Sequence, residues 1–372
     1  MDIEVDRDEY TRWRVSDAGP RALAEGEARL RIDRFGFSSN NISYAAIGDM
    51  LRYWDFFPPG PSDADDATRW GLVPVWGFAE VVETRSSEVT VGERIFGFFP
   101  MATELVIEVG NADAFNVFDV AAHRAGLAGP YNSYRRCAAD VAYRADGEEV
   151  MMLLYPLFFT SFVIDDFLSD KDDFGAEQVV ISSASAKTAL GAAHRLHARG
   201  VKTIGLTSVA NVAFCRSLGV YDEVLTYGEA ESIAQVSTAF VDVSGDQAVV
   251  ASVHRRLGDQ LRHSMIVGDT HWDSAPLADE GPLPGPAQEF LFAPSQVTKR
   301  SREWGADVLA ARMAEAWNEY SAWTQGWITL DRVAGPEAVI EVFRTYLAGR
   351  VDPTVGTVCT MHSQHQSEGV SA

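Results

Sequence analysis

The sequence is short of cysteine, short of positive charge, and lacks any apolar run long enough to cross a bilayer. Its 372 residues include three cysteines, Cys137, Cys215 and Cys359, far apart and without metal-type spacing. A set so sparse and odd excludes a disulfide scaffold and points to a reducing compartment. Lys and Arg number 31 against 53 Asp and Glu, a formal net charge of −22. Such a surface repels phosphates, so neither nucleic acid nor an anionic membrane is an expected partner. The longest apolar run, "VMMLLYPLFF" (Val150 to Phe159), is about half of a membrane span and contains Pro156. The first residues, "MDIEVDRDEYTRW", are acidic and carry no apolar signal core. These absences lead us to expect a cytoplasmic protein acting on a small molecule.

What is present is ordinary globular composition, 47% apolar and 23% charged, in a chain long enough for two domains. From about Ala22 to Val109 the pattern is β-rich: "EARLRIDRFGF" alternates like a half-buried strand, and "WGFAEVVET" and "GERIFGFFP" are short apolar strands between turns. From Gln178 the texture changes. "VVIS" precedes a helix over Lys187 to Ala198, "KTIGLTS" one around Val209 to Ser217, and "DEVLTY" a short helical stretch near Ala230, before "AFVDVSG" and "SMIVGDT". That βαβα series predicts a parallel sheet covered on both faces. The segment from Asp166 to Ala176 reads as a turn before it, and "DEGPLPGP" (Asp279 to Pro286) as a loop. Trp304, Val308, Leu309, Met313, Trp317 and Tyr320 fall on one helical face, as core or interface residues do. The two histidines of "MHSQHQ" (His362 and His365) are expected in solvent on a frayed tail.

The order of these parts resembles the medium-chain dehydrogenase/reductase superfamily, and within it the zinc-independent quinone and enone reductases. The matching stretches are "EARLRIDRFGFSSNNISYAAIG", with Asn40 eight residues before Gly48, "VPVWGFAEVVETRSSEVTVGERIFGFFP", and the closing "ITLDRVAGPEAVIEVFRTYLAGRVDPTVGTVCTM". "NNISYAAIGD", "VPVWGF" and "SASAKTALG" also resemble a bacterial subgroup named as a domain of unknown function. The resemblance implies an α/β fold: a GroES-like β-barrel domain plus a Rossmann domain with a doubly wound parallel sheet. Residues 1–150 would form the first part of the GroES-like catalytic domain and 151–300 the Rossmann domain. Residues 301–372 would be a helix and the return to the first domain. It implies a homodimer as well. No zinc is expected: Asn40 stands where zinc-dependent relatives carry the first ligand, "WGF" (Trp76 to Phe78) replaces their "GHE", and only Cys137 lies in the first domain.

Aligned with the family's "VTGAAGGVGSAA", this chain reads "ISSASAKTALGAA", so Ser183, Ala186, Lys187 and Ala189 replace glycines and Gly191 falls inside the helix. Small residues still let a pyrophosphate approach the helix N-terminus, with donors from Ser182, Ser183, Ser185 and Thr188 and a positive charge from Lys187. The competing reading is a helix start that merely caps and packs, with Lys187 in solvent. The second strand ends in Thr207 and Ser208, followed by Asn211, with no acidic residue to hold a ribose diol. Hydroxyls and amides there, Tyr227 after the next strand, and Lys187 or Arg216 suit a 2′-phosphate, so NADPH is expected ahead of NADH. Ser244 and Gly245, in "VDVSG", and Ile266 to Thr270 match strand ends beneath the nicotinamide ribose in relatives. Thr160 matches a threonine that approaches the nicotinamide amide, or else caps a helix.

Without zinc, a side chain must meet the developing negative charge. Tyr44 and Tyr53 are the candidate phenol donors, and Asn40 or Asn41 can orient a carbonyl, all in a loop centred on Asn40; both tyrosines can equally be core aromatics. Tyr53, Trp54, Phe56, Phe57, Trp70 and Trp76 would wall a cleft for a planar or acyl substrate, or equally form a core for the insertion between Gly48 and Trp76. "GPYNSYRR" (Gly129 to Arg136) adds Tyr131, Asn132, Tyr134, Arg135 and Arg136, whose arginines could hold an acidic group. His254, His263 and His271 rank lower, two of them in a surface helix region. The expectation is a zinc-free NADPH-dependent reductase of an enone, quinone or related activated carbonyl. The alternatives are a lyase- or hydrolase-like enzyme, or a nucleotide-sensing protein, on the same scaffold.

Overall fold

A computed structural model describes residues 1–17, 19–60, 69–267 and 282–363. The alternating segment forms an eleven-residue strand, Glu27–Phe37, whose apolar side chains are buried. It pairs antiparallel with Pro74–Thr84 on one side and Glu104–Gly110 on the other. The circuit through Arg94–Pro100, Ser133–Arg136 and Asn116–Asp119 closes a barrel that leaves these strands no open edge. Near the end of the chain, Thr329–Ala334 and Val355–Thr360 pair in parallel, and the second of them pairs antiparallel with Phe35–Phe37.

The second architecture is a six-stranded sheet, all parallel. Its strands are Glu223–Thr226, Thr203–Thr207, Gln178–Ile181, Thr238–Asp242, Leu261–Ile266 and Glu289–Phe290, in that spatial order. Numbered along the chain, that is 3-2-1-4-5-6, the doubly wound order of dinucleotide-binding sheets. Val179 and Ile181 enter one apolar cluster and Val180 the other, so the first strand is buried on both faces.

The chain divides into a unit of Met1–Leu153 with Thr329–Ala372 and a unit of Leu154–Ile328. The division thus falls at Leu154 and Ile328 rather than at 151 and 301. The apolar run around Pro156 belongs to a longer element than the sequence suggests, the 23-residue helix Glu148–Asp170. It is long and apolar enough to span a membrane, but 67% of its most apolar window is buried inside the protein, as in a core helix. This helix takes up the first part of the expected Asp166–Ala176 turn. The reversal that remains has left-handed backbone at Asp172, Asp173 and Phe174.

The aromatic stripe from Trp304 to Tyr320 is not one helix. Helix Ala293–Trp304 stops at Gly305, with φ of 86°, and helix Ala306–Thr324 starts anew. Only the second half of the stripe is core: Trp317 and Tyr320 are buried with Phe158, while Val308 is exposed. On the tail, His362 is half-buried and its Nε2 lies 2.9 Å from the Ile32 carbonyl, which corrects the solvent-exposed expectation; His365 lies outside the described residues.

Candidate functional site

The turn expected to hold a dinucleotide joins strand Gln178–Ile181 to helix Lys187–Ala198, bounds that match the sequence pattern. Ala186 gives the helix no side-chain cap, and its first turn has no acidic residue. A helix N-terminus in that state favours an anion. The missing glycines are compensated in two ways. Ser183 itself adopts left-handed backbone, φ 51°, and Tyr227 hydrogen-bonds with both its hydroxyl and its backbone. Gly191 lets helix Glu148–Asp170 press close, since a Cβ at Gly191 would lie 2.4 Å from Ser161 Oγ. Ser161 donates there to the carbonyls of Leu157 at 3.1 Å and Thr188 at 2.8 Å.

Other side chains staple the turn from neighbouring loops. Tyr221 donates to the Ala184 carbonyl at 2.8 Å, and Asn211 Nδ2 donates to Ser185 Oγ at 2.9 Å. Two residues read separately as cofactor contacts, Ser185 and Asn211, are therefore one pair. Ser182 and Ser244 are fully buried and turned inward, both donating to Asp242 Oδ1, at 2.6 Å and 2.7 Å. Thr207 is also buried: its hydroxyl bonds to Cys215, whose thiol burial pushes up to about 11. Of the other candidates, Lys187 and Thr188 open helix Lys187–Ala198, Ser208 precedes a 3-10 turn that ends at Asn211, and Gly245 has left-handed backbone just before helix Gln247–Leu257. Arg216, an exposed side chain, donates from one guanidinium nitrogen to the Val224 carbonyl at 3.0 Å. Thr160 lies inside helix Glu148–Asp170, so it is no helix cap.

In the barrel unit Asn40 sits in helix Ser39–Ala46, not in a loop. Asn41 is buried and structural: its Oδ1 accepts from the Ser38 amide and its Nδ2 donates to the Pro74 carbonyl, each at 2.8 Å. Asn40 instead reaches Tyr44, as does Trp76, whose Nε1 donates to Tyr44 Oη at 3.1 Å. Tyr131 bonds to Tyr44 too, and lies 3.2 Å from Tyr53, hydroxyl to hydroxyl. Burial holds all three phenols well above the usual tyrosine range, so they are neutral at neutral pH. Asn40, Trp76 and Tyr131 each pull Tyr44 the other way, because each favours its phenolate. The ring of Phe98 packs on Tyr131 at 4.6 Å and on Tyr44 at 5.3 Å.

Of the predicted aromatic wall, Tyr53, Phe56, Phe57 and Trp76 do gather here. Trp54 does not. It is in the barrel core, wedged between Gly48 and Gly71, where a Cβ would come within 2.3 Å and 2.4 Å of its indole. Trp70 lies under the guanidinium of Arg14 at 4.5 Å. Tyr131, expected from "GPYNSYRR" to join the cleft, does so, although no local pattern marks it as the partner of Tyr53, 78 residues away.

The profile of the family described as "Protein of unknown function (DUF2855)" matches residues 35–352. The chain belongs to the DUF2855 family. No curated protein matches the sequence. Several solved structures are similar to this DUF2855 chain. CurA from Vibrio vulnificus, in complex with NADPH, is 13% identical with a TM-score of 0.59, and 94% of each chain is covered. The yhdH oxidoreductase from Salmonella enterica, in complex with NADP, is 12% identical with a TM-score of 0.51, covering 96% of this chain and 99% of the other. The mitochondrial 2-enoyl thioester reductase Etr1p/Etr2p heterodimer from Candida tropicalis is 10% identical with a TM-score of 0.54, covering 96% and 98%. At these identities the likeness is one of fold: a GroES-like barrel followed by a Rossmann sheet.

The remaining charged candidates of the DUF2855 chain are structural. Arg135 pairs with Asp140 at 2.7 Å and Arg136 with Glu93, so neither is an open clamp for an acidic substrate. His254 is buried on the inner face of its helix, between the Pro284 carbonyl and Ser264 Oγ. His263 lies in strand Leu261–Ile266, stacked on Phe174 at 4.0 Å, not in a surface helix. His271 and residues 268–270 lie outside the described residues. Among the described residues no group of three or more His, Cys, Asp or Glu is placed to hold a metal, and the three cysteines are buried singly.

Proposed function

We propose that this DUF2855 protein is a cytoplasmic, zinc-free, NADPH-dependent reductase of an enone, quinone or related activated carbonyl. The observation that carries the reading is the uncapped helix start at Lys187 on the first strand of a 3-2-1-4-5-6 sheet. The solved structures of like fold, with NADPH or NADP bound, add weight. The donor set fits such a cofactor: first-turn amides for the diphosphate, and Lys187 with the hydroxyl and amide groups at Ser208 and Asn211, with no carboxylate among them, for a 2′-phosphate. When bound, the nicotinamide supplies a hydride to the electrophilic carbon.

The protein's own share is orientation and a proton. Tyr44 is the donor this reading favours. Burial keeps it protonated, and the Trp76 indole, the Asn40 amide and Tyr131 are arranged to stabilise the phenolate left behind. Tyr53, bonded to Tyr131, can pass a proton inward to restore it. The aromatic wall of Phe98, Trp76 and Tyr131 suits a planar conjugated group.

Titration of the purified protein with NADPH and NADH, followed by a panel of enones, quinones and 2-enoyl thioesters, tests this. Tight NADPH binding with oxidation by a panel member is the expected result; no binding ends the reading. The hydroxyls of Ser182, Ser244 and Thr207 point inward and leave fewer donors for a nucleotide, and a nucleotide sensor on the same scaffold is the competing reading. Binding without turnover by the whole panel would select it.

A further inference from the structure

A glycine fingerprint shapes the dinucleotide turn by removing side chains. Here the side chains are present, and Ser183 holds a backbone conformation, φ 51°, that residues with a Cβ seldom adopt. Strain of that kind persists only where the surroundings over-determine it. Tyr227 holds Ser183 directly, and the residue before it, Ser182, is held by Asp242, the last residue of strand Thr238–Asp242 and 1% exposed.

A single oxygen, Asp242 Oδ1, accepts from Ser182 Oγ at 2.6 Å, Ser244 Oγ at 2.7 Å, the Ser244 amide at 3.1 Å and the Gly245 amide at 3.3 Å. Ser182 Oγ in turn accepts from the amides of Val243 at 2.8 Å and Ser244 at 3.0 Å. The first and fourth strands are neighbours whose crossovers run to opposite sides, which is the switch point where a doubly wound sheet takes its ligand. One carboxylate therefore ties together the turn after the first strand and the turn after the fourth.

The geometry points to Asp242 as the positioning residue of the dinucleotide cradle, doing by hydrogen bonds what the absent glycines do by lack of bulk. It fixes Ser182, the residue that leads into the left-handed Ser183. It also fixes the Ser244–Gly245 turn that leads to Asp246, the cap of the next helix. Its action is through these residues, since its bonded oxygen is committed to four donors. The inference rests on the proposed NADPH reading.

The test compares NADPH dissociation constants and melting temperatures of the wild type, Asp242→Ala, Asp242→Asn and Ser182→Ala. Asp242→Ala is expected to raise Kd by about tenfold or more, because hydrogen bonds to a charged group are lost. Asp242→Asn keeps an acceptor oxygen and should stay within about threefold, with Ser182→Ala between the two. A merely structural role would lower the melting temperature of Asp242→Ala and Ser182→Ala while their folded fractions kept the wild-type Kd, and that result overturns the inference. If Asp242→Ala does not fold, Ser182→Ala decides: a raised Kd supports the assignment and an unchanged one overturns it. Wild type that binds no NADPH would bring down the cofactor reading and this inference together, whereas unchanged variants of a binding wild type bring down this inference alone.

Discussion

Two clusters of hydroxyls, one in each unit, have opposite fates. In the barrel unit the phenols of Tyr44, Tyr53 and Tyr131 bond to one another and to an indole N–H, walled by Phe56 and Phe98. In the sheet unit, Ser182 and Ser244 bond to a buried carboxylate and Tyr221 to a backbone carbonyl. The first arrangement links phenols that can both donate and accept, which on the proposed reading lets a proton be given and replaced. The second ends on groups that only accept, so it fixes a shape. Residue type alone does not separate chemistry from scaffolding; the partner of each hydroxyl does.

The largest way to sharpen this contrast is at Tyr44. Tyr44→Phe should cut kcat on an active enone or quinone by about a hundredfold, the loss expected of a general acid, and leave NADPH affinity unchanged. An unchanged kcat would make the phenol cluster another scaffold. Next is Lys187→Ala, expected to weaken NADPH binding about tenfold and NADH binding less, with the difference shrinking as salt is raised. Equal losses for both nucleotides, measured by fluorescence titration, would remove Lys187 from the 2′-phosphate.

A smaller effect is expected at Gly191. Gly191→Ala puts a methyl against Ser161 and should cost about 1–3 kcal/mol, lowering the melting temperature by several degrees. The smallest is a pH effect at His194, packed against Tyr320 and Trp323, whose imidazole burial pushes down to about 4 from 6.5. The unfolded chain binds that proton more readily than the native one. The stability it contributes is therefore complete above pH 6.5 and is lost as pH falls toward 4. His194→Phe should flatten the melting temperature over that window and change little above it.

Much of the fold was legible because its signals are local. Period-two alternation marked Glu27–Phe37, and the strand, turn and helix pattern marked Lys187–Ala198 with correct bounds. The site was legible only in part. Asp242 gave no sign in "VDVSG", because its role depends on a serine sixty residues earlier. Trp54 and Phe56, two residues apart, enter separate apolar clusters because the short 3-10 turn between them points them apart. Arg135 and Arg136 looked like an anion clamp until the fold supplied Asp140 and Glu93.

The barrel unit is built from two separated stretches of chain, whereas the sheet unit is one unbroken stretch, Leu154–Ile328. Synthesis therefore finishes every residue of the sheet unit while strand Glu27–Phe37 still lacks Val355–Thr360 as a neighbour. The part made first is the part completed last. During translation the Phe35–Phe37 end of that strand has an uncovered edge although the six-strand circuit is already made, and a chain cut short before residue 355 would keep that edge open to unwanted pairing.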